Sequence, residues 1–174
     1  MSCWSETMAL AKDYIDFCSG TQRTPPSESA AAMRHLAKEL EQQHWSKFQA
    51  LSQTFLGSCG ADPSHSLRRV MEELVGDGKM NWGRVVSLFT FTGVLAAELF
   101  SRGKDRDFCQ SLAKTVADYL GEEKSDWLME NEGWEGFCKF SRAAREVNQE
   151  SSMKTALFAA AGVGIAGLTF LLVR

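Results

Sequence analysis

Residues 81–100 read NWGRVVSLFTFTGVLAAELF, and the fold follows from how that stretch must be housed. From Val85 to Ala97 it carries no charge, and its bulky apolar residues fall on every side of a helical wheel. A helix that is hydrophobic all round is buried on all sides. A membrane span takes roughly 20 such residues, so this shorter run predicts the central helix of a bundle. The first turn is of another kind. Asn81 is placed to cap the helix, and Gly83 weakens it by about 1 kcal/mol against alanine, which points to close approach by another backbone. The guanidinium of Arg84 is too strongly hydrated to follow the rest into a core, and it opposes the helix dipole. A buried helix that leads off with a surface cation predicts a functional site at that end.

Working outward, the flanking segments supply helices to surround the central one. Trp4, Met8, Ala11, Ile15 and Cys18 recur at helical spacing, with Gly20 as a stop. Thr24-Pro25-Pro26 is a stiff break, after which Ser27 can cap a helix with Glu28 at its positive end. Met33, Leu36, Leu40, His44, Phe48, Leu51 and Phe55 then form a stripe that reads either as one helix or as two bent near Trp45. Asp62-Pro63 is a cap followed by proline at the first helical position, and Leu67, Val70, Met71, Leu74 and Val75 make an amphipathic pattern ending at Gly76-Asp77-Gly78. Beyond the central helix, Phe108, Leu112, Val116, Tyr119 and Leu120 predict a helix that Gly121 ends. Ser125 can cap a short one over 126–131, and Trp134, Phe137, Phe140 and Ala144 mark the last. Nothing alternates as a strand, so the body is all-α with seven or eight helices.

The chain of 174 residues has room for one domain with a sizeable core. Its net charge of −3 and even mix of signs exclude the basic stripe of a nucleic-acid binder. Cys3, Cys18, Cys59, Cys109 and Cys138 are an odd, scattered set, read as small buried residues in a reducing compartment rather than a disulfide framework. His35, His44 and His65 lack ligand spacing, so no metal is expected. No nucleophile–base pair or phosphate loop stands out, and Glu73 and Asp77 read as helix-surface and turn acids. No enzyme and no cofactor are expected, and Met1 to Gly20 is too polar for a signal peptide.

Thr155 to Val173, TALFAAAGVGIAGLTFLLV, is uncharged and lies between Lys154 and Arg174. At about 1.5 Å per residue it reaches close to one hydrocarbon thickness. With Arg174 alone beyond it, it predicts a tail anchor that leaves the body in the cytosol. Gly162, Gly164 and Gly167 spell the GxGxxG dinucleotide fingerprint. That motif needs a strand before it and an acid after it, so here it reads as small residues for helix packing in lipid. The expected organisation is a helical domain over 1–148, a linker over 149–154 and a transmembrane tail anchor over 155–173.

Two stretches carry a resemblance. ELVGDGKMNWGRVVSLFTFTG, Glu73 to Gly93, resembles the first homology region of the Bcl-2 family of apoptosis regulators, with NWGR as its hallmark. WLMENEGWEGF, Trp127 to Phe137, is similar to the second. The N-terminal helix around Ala11 to Phe17 looks like the fourth region, and MRHLAKELEQQH, Met33 to His44, lies where the third (BH3) belongs. Within the family the chain most resembles the Bcl-2-like-10 (Nr-13) branch. It departs from the pattern in three places. Ala37 and Lys38 stand where the third region has Gly-Asp, Glu132 and Gly133 stand where the second has two glycines, and the turn before NWGR is one residue longer, through Lys79-Met80.

The resemblance implies a Bcl-2-like bundle whose apolar groove accepts the amphipathic BH3 helix of another family member. The positions matching the groove are Leu40, His44, Phe48, Leu51, Phe55, Val70, Met71, Leu74, Val86 and Phe91. Arg84 would pair bidentately with the ligand's aspartate, Asn81 would add a hydrogen bond, and Gly83 would admit the ligand backbone. Lys38, in the place of an aspartate, disfavours a chain that offers its own third region. The implied function is therefore an anti-apoptotic receptor for pro-apoptotic family members, forming heterodimers at the mitochondrial outer membrane or endoplasmic reticulum. The alternative is a pro-apoptotic member that permeabilises membranes itself.

Overall fold

The structure is a computed structural model that describes residues 2–75 and 79–146, without the side chains of Leu74 and Glu146. The expected linker (149–154) and tail anchor (155–173) lie outside the described residues. Helices follow in the order α1 Cys3–Cys18, α2 Glu28–Gln43, α3 Trp45–Ser58, α4 Pro63–Leu74, α5 Trp82–Ser101 and α6 Arg106–Val116. A π-helical turn, Ala117–Glu123, leads on to α7 Ser125–Glu130 and α8 Gly133–Glu146. No strand occurs among the described residues.

The starts of α2, α4, α5 and α6 are set by local chemistry, whereas α3 and α7 begin without a side-chain cap. Ser27 accepts from Ala30 N, Asp62 from Ser64 N and His65 N with Pro63 next, Asn81 from Arg84 N, and Asp105 from Phe108 N. Each acceptor satisfies a backbone donor that the helix leaves orphaned. The long stripe from Met33 to Phe55 is two helices, broken at His44, whose backbone leaves the helical region at φ −123° and ψ 33°. Gly121 does not end a helix. It lies inside the π-helical turn, where a Cβ would stand 2.7 Å from Trp4 Cα and 2.9 Å from Cys3 O. The missing side chain lets α1 lie against that turn.

Every residue of α5 from Val85 through Ala96 is buried. The helix is long and apolar enough to cross a membrane, yet it is housed inside the bundle, with α1, α2, α3 and α6 packed around it. Its polar residues are satisfied within the helix. Ser87 Oγ donates to Gly83 O at 3.0 Å, Thr90 Oγ1 to Val86 O at 2.7 Å, and Thr92 Oγ1 to Leu88 O at 2.7 Å, so no buried hydroxyl of α5 goes unpaired. At Gly93 a Cβ would fall 2.5 Å from the Tyr14 ring and 2.6 Å from Cys18 Sγ, which places α1 in direct contact with the central helix.

Two nearly solvent-free acids of α1 hold the neighbouring helices. Asp13 takes Arg34 of α2 at 2.7 and 3.1 Å, and Asp16 takes Arg106 of α6 at 2.7 and 3.1 Å, with Gln110 Nε2 at 2.7 Å. Glu28, at the start of α2, receives two bonds from Arg142 of α8 at 2.7 and 2.8 Å.

Candidate recognition site

The site begins at the N-terminus of α5. Asn81 is extended (φ −153°, ψ 166°) and its Oδ1 accepts from Arg84 N at 2.8 Å. That bond assigns the oxygen to the cap and leaves the exposed amide nitrogen as a donor. Arg84 is half-buried rather than fully at the surface, and its Nη1 donates to the backbone carbonyl of Lys79. A carbonyl is a good partner for a cation that the helix dipole repels. Gly83, between these two, is buried.

The apolar positions fall into place behind that turn. Leu40 comes from α2, Phe48, Leu51 and Phe55 from α3, Val70 and Met71 from α4, and Val86 and Phe91 from α5. Phe55 and Phe91 meet edge to face, with ring centroids 5.6 Å apart. All eight belong to one continuous cluster, and the most exposed of them, Val70, is only 8% accessible. They are core residues here as well as groove candidates, because apolar surface without a partner is driven inward. The side chain of Leu74 lies outside the described residues. His44 is half-buried at the α2–α3 break, and burial together with Lys47 lowers its pKa, keeping the imidazole neutral at physiological pH.

The chain's own third region is turned inward. Met33, Leu36, Ala37 and Leu40 are each no more than 3% exposed. Lys38 pairs with Glu41 at 3.1 Å and lies 5.6 Å from the Phe17 ring.

The structure adds a feature that the periodicity of the sequence did not mark. Trp82, the first residue of α5, is ringed by Trp127 of α7 at 4.7 Å and by Trp134 and Phe137 of α8 at 5.8 and 5.4 Å between centroids. Trp134 Nε1 donates to Thr7 Oγ1 at 2.9 Å, tying this cluster to α1. The available signal was the tryptophans of the two homology-like stretches, one in the first and two in the second, but spacing alone does not say that residues 45 or more apart meet.

Comparison with known proteins identifies the family and the fold. The profile described as apoptosis regulator proteins, Bcl-2 family, matches residues 33–134. The chain is 40% identical to the anti-apoptotic protein NR13 of Gallus gallus over 177 aligned positions, covering 97% of this chain and 95% of that protein. It is similar to the crystal structure of a zebra-fish pro-survival protein, NRZ, in complex with the Bad BH3. The TM-score is 0.78 and the identity 70%, over 80% of this chain and 96% of that one. The same protein in its apo form matches with a TM-score of 0.77 and 68% identity, over 82% and 95%.

Proposed function

The chain belongs to the Bcl-2 family of apoptosis regulators, and from that membership we propose that it is a pro-survival receptor for the BH3 helices of pro-apoptotic members. The observation that carries this reading is the first turn of α5. There a capped, carbonyl-held Arg84 leads directly into Val85 and Val86, which belong to the apolar cluster that α2 to α5 share. A BH3 helix would part α3 and α4 to insert its apolar anchors between Leu40, Phe48, Leu51, Phe55, Val70, Met71, Leu74, Val86 and Phe91, with His44 at the α2–α3 end. Its aspartate would take the guanidinium of Arg84, the Asn81 amide would donate a hydrogen bond, and Gly83 would admit its backbone. The complex of the zebra-fish relative with the Bad BH3 supports this choice of partner.

The opposite role, an executioner that exposes its own third region, is disfavoured by energetics. Burial of Met33, Leu36 and Leu40 stabilises by roughly 2 kcal/mol each, and the Asp13–Arg34 and Glu28–Arg142 pairs add to what must be broken. Against a typical total stability of about 5–15 kcal/mol, extracting α2 would cost a large share of the fold's stability. The reading is of a binding protein rather than an enzyme, with the domain over 1–148, the linker over 149–154 and residues 155–173 as a membrane anchor at the mitochondrial outer membrane or endoplasmic reticulum. Calorimetry with a Bad BH3 peptide tests the recognition step. Truncating one partner of a desolvated charge pair costs about 2–5 kcal/mol, so Arg84→Ala is expected to weaken binding at least tenfold. Unchanged affinity would remove Arg84 from the site.

A further inference from the structure

Where the first half of α1 meets the start of α2 and the start of α8, the surface holds a pocket of about 380 Å³ that shares no residue with the recognition groove. Leu10, Ala30 and Trp134 form its floor, each no more than 5% exposed. Ala9 and Pro26 add apolar walls. The shape is set before any ligand arrives. Trp134 is held by its Nε1 bond to Thr7 Oγ1 at 2.9 Å, Ala30 by its backbone bond to the Ser27 cap at 3.1 Å, and Pro26 by its own ring. A pre-formed, mostly apolar pocket of roughly 300–1,000 Å³ with a few polar groups is the usual form of a small-molecule site.

The polar groups at the rim accept hydrogen bonds. Glu6 is exposed, and its carboxylate has no ion-pair partner among the described residues. Ser27 Oγ already accepts from Ala30 N and lies 3.1 Å from Ser29 Oγ. With Ser29 as the donor of that pair, its own lone pairs stay free. The positive end of α2 opposes a cation on the serine side, whereas Glu6 stands on α1, so a cationic group belongs at Glu6.

We propose that this pocket binds a small lipophilic amine, with its apolar body against Leu10 and Trp134 and its ammonium at Glu6. A cavity of about 150 Å³ takes one benzene ring, so a fused pair of rings fits here. None of the pocket's residues takes part in the BH3 reading, and the two ligands are expected to bind at once.

The test titrates the full chain in detergent micelles with naphthylmethylamine and, separately, with its neutral counterpart naphthylmethanol, following the indole N–H resonance of Trp134. Partition of each compound into the micelles is common to all variants, so affinities are compared between variants for one compound at a time. The amine is expected to shift the Trp134 resonance, with an affinity unchanged within about twofold when a Bad BH3 peptide saturates the groove. An exposed charge pair is worth up to about fivefold, so Glu6→Gln should weaken the amine by about three- to fivefold and leave the alcohol unchanged. Ala9→Phe, which fills the mouth of the pocket from its exposed wall, should weaken both compounds at least tenfold. The proposal is overturned by a Trp134 resonance that does not respond to the amine, by displacement of the amine by the BH3 peptide, or by an unchanged affinity in Ala9→Phe. Equal effects of Glu6→Gln on amine and alcohol overturn it as well, since the ammonium would then have no partner at Glu6. Should Ala9→Phe show no cooperative unfolding transition, Pro26→Phe fills the mouth from the other exposed wall and takes its place with the same expected outcome.

Discussion

Tyr14 is 1% exposed, and its buried hydroxyl has no oxygen or nitrogen partner, only the Cys18 thiol, a weak one, beside it. Burial pushes the phenol well above its ordinary pKa and the thiol up to about 11, so both remain protonated at neutral pH. An unpaired buried hydroxyl costs about 1–3 kcal/mol of desolvation. Tyr14→Phe is therefore expected to leave the thermal unfolding midpoint unchanged or raise it, and a fall of several degrees would show that the hydroxyl has a partner in solution. The ring itself is needed, since it meets Phe89 edge to face at 6.3 Å. Residues of this kind were opaque in the sequence. Tyr14 falls between the stripe residues Ala11 and Ile15, and nothing local says where its hydroxyl ends. Asn81 was legible to the atom because capping is a contact between near neighbours in the chain.

At the scale of elements, glycines decide how closely helices approach. The sequence marked Gly121 as a stop, and the structure uses it as a contact against α1. Alanine there gains about 1 kcal/mol of helix propensity. Its Cβ, however, would stand 2.7 Å from Trp4 Cα and 2.9 Å from Cys3 O, and backbone cannot rotate away. Overpacking typically costs 1–3 kcal/mol, so Gly121→Ala should be net destabilising by up to about 2 kcal/mol in urea unfolding, and a stabilised variant would show that α1 can shift freely. At the break between α2 and α3 the sequence left one helix or two open, and the structure decided for two. The apolar stripe continued through His44, and periodicity is blind to one residue leaving helical geometry while the stripe goes on.

For the whole molecule, α1 is held by charges as well as by apolar contact. Two hydrogen bonds from Arg106 hold the Asp16 carboxyl below the usual range, and a third from Gln110 adds to them, although burial opposes. Asp16 is thus more acidic in the folded chain than in the unfolded one. Its contribution is present above the ordinary carboxylate pKa of about 3.9 and is lost as pH falls through the lower folded value. Glu98 and Asp118, also lowered by their cationic partners, act in the same direction. Stability measured by denaturant unfolding should accordingly fall from about pH 5 towards pH 3, and Asp16→Asn should be less stable at neutral pH with a shallower acid slope. An unaltered slope would show that the Asp16–Arg106 pair is not formed in solution.

The helical class, the caps at Ser27, Asp62 and Asn81, and the burial of Val85 to Ala96 were determined by the sequence alone, because each rests on neighbours in the chain or on a periodicity of hydrophobicity. The NWGR turn was legible for the same reason, as a local conflict between a cation and the helix that carries it. What only the tertiary structure decided is which distant residues meet. Asp13 and Asp16 grip Arg34 and Arg106, Gly93 and Gly121 admit α1, and Trp127 closes on Trp82 from 45 positions away. These contacts depend on how whole helices cross, and helix crossing is settled by the summed packing of two faces, which no single stretch of chain contains.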